Sequence, residues 1–185
     1  MTVYIALLRG INVGGKNMIK MAKLRESLTA IGLENVQTYI QSGNILFQSD
    51  KQEKKLREEI KHKIMEDYRL SIPVILRTAE EWEQLTTACP FSAEEIKIAE
   101  ADSVGESLYV AFFPSNLSIV NLESLQSFQN EKEKYHIQNK EIYLLFYDSV
   151  RNSKLANQLQ KLDIQSTTRN WKTVNKLAAM AKTMK

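Results

Sequence analysis

The run Val36-Gln-Thr-Tyr-Ile40, Gln41-Ser-Gly-Asn44, Ile45-Leu-Phe47 decides the fold. Its two ends are rich in β-branched and aromatic residues, and its centre holds turn formers, so it reads as a β-hairpin. An antiparallel hairpin at this point argues against a doubly wound parallel sheet. Working back from it, Val3 to Leu8 is a short apolar strand. Met21, Leu24, Leu28 and Ile31 then recur at helical spacing, and Gly32 is a natural stop. Working forward, Leu56, Ile60 and Ile64 line one face of a charged helix. Ser49 with Gln52, or Asp50 with Glu53, is expected to cap it. Pro73 to Arg77 closes the unit as a strand, so residues 1–80 read βαββαβ.

The second half nearly repeats this order without detectable identity. Thr78-Ala-Glu-Glu81 is a capping-box pattern that opens a helix bearing Trp82 and Leu85, and Cys89-Pro90 ends it. Residues 92–107 are polar and acidic and are expected to be a linker. Strands are expected at Leu108–Phe113, Lys134–Gln138 and Glu141–Tyr147, with a turn at Asn139-Lys140. Helices are expected over 117–128 and 153–162, and a closing strand over Ile164–Ser166. The chain ends in an amphipathic helix carrying Trp171, Val174, Leu177 and Met180. The expected fold is α+β: two ferredoxin-like (split βαβ) subdomains in tandem with an additional C-terminal helix. They span 1–80 and 107–166, with a helix and polar linker over 81–106 and the last helix over 167–185.

The first strand runs into the most unusual loop of the chain, Arg9-Gly-Ile-Asn-Val-Gly-Gly-Lys-Asn17. Gly10, Gly14 and Gly15 permit positive φ and close approach of a bound group, while Arg9, Asn12, Lys16 and Asn17 offer donors. A polar, basic loop between a strand and a helix N-terminus suits an anion. Gly10 to Lys16 also satisfies G-x-x-x-x-G-K. A phosphate-binding loop of that class then needs Ser or Thr for magnesium, and this chain has Asn17. With both neighbouring strands in split βαβ patterns, a nucleotide triphosphatase is disfavoured.

Composition narrows the classes further. The 185 residues are 43% hydrophobic and 25% charged, which suits a globular protein with a substantial core. The single cysteine, Cys89, excludes an intramolecular disulfide and suits a reducing cytoplasm. His62 and His136 lack metal-ligand spacing, and no signal peptide or membrane span is evident, so no metal, cofactor or membrane partner is expected. The formal net charge of +3 is segregated. Residues 1–25 hold five Lys/Arg and no acid, residues 151–185 hold eight basic residues and only Asp163, and the middle carries −9.

Four blocks carry a resemblance: ALLRGINVGGKN, followed by MAKLR at 21–25, TYIQSGN at 38–44 and TTRNWKTVNKLA at 167–178. Together they resemble a bacterial family catalogued as domain of unknown function 1697. The resemblance implies two ferredoxin-like subdomains and implies no activity. Family members often carry a glycine-containing loop before the S-K-L at 153–155; here it is Asp148-Ser-Val-Arg-Asn152, without glycine.

The expected binding residues are Arg9, Gly10, Asn12, Gly14, Gly15, Lys16 and Asn17, joined by Ser42 and Asn44 of the hairpin and Thr168, Arg169 and Asn170. The last three are read as the start of the final helix, with Thr168 or Asn170 as N-cap and Arg169 beside the free N–H groups. Bringing the basic 9–17 and 167–171 segments into one cleft would need an anion to offset their repulsion. The expected partner is a phosphate-bearing small molecule. Nucleic acid is the alternative, although the aromatic pattern of RNA-binding sheets is missing. A protein-interaction adaptor is a third class. Catalysis and oligomeric state are left open, since Cys89 has no local activator and neither histidine sits in a polar loop.

Overall fold

The computed structural model describes residues 1–116, 119–162 and 165–185, apart from the side chains of 119–122. It is α+β, with two four-stranded sheets. The first is built from β1 (Thr2–Leu8), β2 (Glu34–Tyr39), β3 (Asn44–Ser49) and β4 (Val74–Thr78), in the order β2-β3-β1-β4. Helix α1 (Met21–Ala30) joins β1 to β2, and α2 (Glu53–Tyr68) joins β3 to β4. Every pairing in it is antiparallel. The alternation of β1 explains the layer: Tyr4, Ala6 and Leu8 face a core completed by Leu24 and Leu28 of α1 and Leu56, Ile60 and Ile64 of α2. Val3, Ile5 and Leu7 on the other face are buried as well, which is why the strand reads as a continuous apolar run.

The second sheet repeats the winding. Strands β5 (Leu108–Phe112), β6 (Glu133–Gln138), β7 (Glu141–Phe146) and β8 (Thr167–Asn170) lie in the order β6-β7-β5-β8, again antiparallel. Helices α5 (Ile119–Gln126) and α6 (Lys154–Leu162) occupy the corresponding connections. Ala111, Ile142, Leu144 and Phe146 pack with Leu125, Leu155 and Leu159. The correspondence extends to single residues. Ile5 pairs with Arg77, and Val110 pairs with Arg169. Both arginines are buried, and each donates through Nη1 to the carbonyl of the residue before it, at 2.8 Å and 2.9 Å. A polar cap and a helix follow each: Thr78 before α3 (Ala79–Thr87), Asn170 before α7 (Trp171–Lys182).

The chain divides into two compact units, Met1–Thr86 with Asn175–Lys185, and Thr87–Val174. Three expectations need correction. The stretch read as a linker contains α4 (Ala93–Asp102), opened by a full capping box between Ser92 and Glu95. That S-x-x-E pattern has the same form as Thr78-x-x-Glu81, but a weak apolar period hid the helix. The closing strand is Thr167–Asn170, not Ile164–Ser166; Ile164 lies outside the described residues, as do 117 and 118 of the helix expected over 117–128. Helix α2 begins at Glu53 after Gln52 with no side-chain cap, whereas the Thr78–Glu81 box forms as expected, at 3.1 Å and 2.8 Å.

One position ties the deciding hairpin to β1. Gly43 has φ +79°, and a Cβ there would meet Leu8 Cβ at 2.7 Å and Ile11 Cδ1 at 3.0 Å. Its carbonyl accepts from Leu8 N at 2.8 Å. Gly43→Ala combines backbone strain with a core clash and is expected to destabilise by about 3 kcal/mol or more, read as a lowered denaturant midpoint.

Candidate functional site

The composition of the 10–17 loop is explained first by its backbone. Gly10, Asn12, Gly14, Gly15 and Asn17 all have positive φ, between 49° and 73°. Glycine and asparagine are the residues that enter this region most readily. Gly14-Gly15 forms a two-residue hairpin turn with both central residues left-handed, closed by Lys16 N donating to Val13 O at 3.0 Å. Asn12 N donates to Asn17 O at 3.2 Å one step further out. Asn17 Nδ2 donates to Gly10 O at 2.9 Å and ties off the base. A Cβ at Gly10, Gly14 or Gly15 would meet nothing within 4 Å, so the turn and not a close contact accounts for these glycines.

Asn12 binds this hairpin to the rest of the unit. Its Oδ1 accepts from Ile19 N at 2.7 Å, and its Nδ2 donates to Ile19 O at 3.0 Å and Gln41 O at 2.8 Å. One carboxamide thus satisfies both backbone groups of Ile19, as a neighbouring strand would, and reaches into the β2–β3 turn. Ile11 and Ile19 are buried in the core on either side. Within the β2–β3 turn the buried Asn44 donates through Nδ2 to Tyr39 O at 3.1 Å and Ser42 Oγ at 3.0 Å. Ser42 and Asn44 therefore shape the turn.

Charge and apolar surface meet on these two loops. Residues 13–18 are all exposed, including Lys16. Arg9 is half-buried, and its backbone N–H donates to Pro73 O at 3.1 Å. Arg25 reaches the end of β2, where Nη1 donates to Thr38 Oγ1 at 2.6 Å. Val13, Met18 and Ile40 are 65%, 65% and 52% exposed. Each is the chain neighbour of a residue joined by the Asn12 carboxamide: Asn12 itself, Ile19 and Gln41. Ile40 also has φ +50°, an unfavourable conformation for a β-branched residue. Sequence reasoning missed this apolar trio, because single exposed hydrophobics are ordinary and only the fold groups them.

The expected residues of the second unit are differently placed. Arg169 lies within β8, two residues before the helix, buried, with Nη1 2.7 Å from Thr167 Oγ1. Loss of water around it lowers its pKa to about 10, which leaves it charged at neutral pH. Asn170 is the cap of α7, accepting from Thr173 N at 2.8 Å, and Thr168 is exposed on the strand. Burial raises the Cys89 thiol pKa, as suits an unreactive cysteine. Two grooves in the first unit, of about 550 and 780 Å³, share Gln48 and Met184 in their walls. The larger also borders the start of β1 at Met1 to Tyr4, and neither is lined by the 9–18 or 38–44 loops. Among the described residues no cluster of three or more His, Cys, Asp or Glu is placed to hold a metal, and no helix is long and apolar enough to cross a membrane.

A family model described as protein of unknown function (DUF1697) matches residues 1–143. A solved structure of a conserved bacterial protein from Streptococcus pneumoniae is similar, with 28% identity and a TM-score of 0.77. The match covers 97% of this chain and 98% of that one. No curated protein matches the chain.

Two substitutions test the local physics. Asn12→Ala removes three hydrogen bonds and leaves the Ile19 backbone groups to find other partners, so it should destabilise by about 2–3 kcal/mol in chemical denaturation. Ile40→Asn keeps a left-handed residue but relieves β-branching, and should stabilise by roughly 0.5–1 kcal/mol in the same assay.

Proposed function

For a chain that belongs to the DUF1697 family, we propose a binding role: the Arg9–Asn17 loop holds an anionic, phosphate-bearing ligand. The observation that carries this reading is the rigid, outward hairpin bearing Lys16, in a segment of 25 residues that contains five basic residues and no acid. Asn12 and Asn17 spend their side chains on holding the loop. Their contribution is preorganisation, which lowers the ordering cost of binding. Lys16 supplies charge at the turn, Arg9 supplies it at the base, and the bare backbone of Gly14 and Gly15 lets a phosphate group approach. Nucleic acid is the second reading. The unbroken exposure of residues 13–18 favours it, since an exposed tip suits an extended phosphodiester better than an enclosed ligand.

Each unit is read here as a ferredoxin-like module, supported by the shared antiparallel order 2-3-1-4. The single cysteine supports a cytoplasmic location. Sequence reasoning also drew Thr168, Arg169 and Asn170 into the site. The proposal is confined to the first unit, because Arg169 is buried in its strand and Asn170 is committed to capping α7.

Titration with pyrophosphate, a nucleotide panel and a single-stranded oligonucleotide tests the reading. Saturable binding by one small phosphate compound would mark a discrete site. Oligonucleotide binding that falls steeply with salt would mark nucleic acid. Lys16→Ala should weaken either by about tenfold, roughly 1.4 kcal/mol, with unchanged thermal stability. Binding that is unaffected by Lys16→Ala, or absent for every probe, would overturn the proposal.

A further inference from the structure

Among the described residues seven large hydrophobic side chains stand out as exposed: Met1, Val13, Met18, Ile40, Met65, Ile98 and Val104. Three, Val13, Met18 and Ile40, are the chain neighbours of Asn12, Ile19 and Gln41, which the Asn12 carboxamide ties together. Two more, Ile98 at 49% and Val104 at 91%, lie on or just after α4. Around the first group the nearby charges in sequence are Arg9, Lys16 and Lys20, with no acid before Glu26. Around the second they are Glu94, Glu95, Glu100, Asp102 and Glu106, with Lys97 the one base in the segment and Lys134 paired with Glu95 at 3.6 Å.

The helical period sharpens the contrast. Glu94, Ile98 and Asp102 follow one another at i, i+4 and i+8, and all three are exposed, while Ala99 is buried beneath them. An isoleucine therefore stands on the open face of α4 with a carboxylate one turn to each side. Glu94, Glu100 and Asp102 make no ion pair among the described residues, and neither do Lys16 and Lys20. Both surfaces remain exposed within a single chain, so each is available to another molecule.

We infer that the loop surface of Val13, Met18 and Ile40 receives the outer face of α4 from a second copy of this chain. The apolar centres match, and the basic rim of one surface meets the acidic rim of the other. That arrangement steers the encounter and sets its register. The two surfaces differ, so the contact is heterologous: each copy offers one donor and one acceptor face, and association proceeds to rings or open chains. Ile40 is then held at positive φ because the rigid turn must present it outward. This inference uses the surface beside Lys16 and does not depend on phosphate binding.

Sedimentation velocity of the full chain across a concentration series, at low and high salt, provides the test. The mass should rise with concentration and fall back with salt. Met18→Gln and Ile98→Gln keep the charge unchanged, and each should weaken association at least tenfold without altering thermal stability. Lys16→Glu should be defective alone, and mixing it with a Glu94→Lys, Asp102→Lys variant should restore association between the two. A strictly monomeric chain at low salt would overturn the inference, as would association indifferent to either glutamine variant. Phosphate-probe binding measured on Met18→Gln separates the two proposals, since that substitution leaves Arg9 and Lys16 in place.

Discussion

The local architecture of the first unit depends on one buried-edge carboxamide. Asn12 supplies an acceptor and two donors within 3.0 Å, and through them the 10–17 hairpin, the lead into α1 and the β2–β3 turn become one body. A backbone segment such as Ile19, sunk in the core but outside any strand, must have its N–H and C=O satisfied. Few side chains can satisfy both. Asparagine does so at φ +53°, where its short amide reaches back to the chain and the left-handed conformation is tolerated. Remote parts of the sequence, 12, 19 and 41, meet here because β1 is central in its sheet and pairs directly with β3.

The same sheet order places a buried arginine in the last strand of each unit, Arg77 and Arg169. A guanidinium out of water is held only where its donors have acceptors. In both units one acceptor is the carbonyl one residue back along an edge strand, and Thr167 Oγ1 is a second for Arg169. An edge strand has carbonyls to spare, which makes it a workable place for such a residue. Two stretches without recognisable identity thus solve one problem in one way, and the register carries the repeat that the sequence does not display.

The glycine-rich loop has a similar lesson. Its five left-handed residues form a compact hairpin with its own hydrogen bonds, so glycine count alone argues for a turn before it argues for a ligand. What exceeds the needs of the turn is its surface. Lys16, Val13 and Met18 project from a framework already rigid, and Ile40 joins them from the neighbouring turn. Apolar side chains on water-facing loops lower solubility and gain the molecule no folding energy. They stand in a stretch whose charges, Arg9, Lys16 and Lys20, are all basic.

The sequence by itself determined the elements whose signals are local. The continuous apolar run of Val3 to Leu8, the helical spacing of Leu56, Ile60 and Ile64, and the hairpin around Gly43 mark the first unit and its antiparallel character. The Thr78–Glu81 box was equally plain, since cap and partner lie three residues apart. Helix α4 was missed although its Ser92–Glu95 box has the same form, because Ile98 faces solvent and breaks the apolar period. The last strand was placed too early because Thr167–Asn170 is polar and short, and its strand character comes from pairing with β5. Only the tertiary structure decided that Asn12 is a clamp, that Arg169 is buried in a sheet, and that Val13, Met18 and Ile40 are exposed next to the residues that the clamp joins. Each of those facts depends on residues far apart in sequence, and their meeting is set by sheet order and packing, which no local pattern encodes.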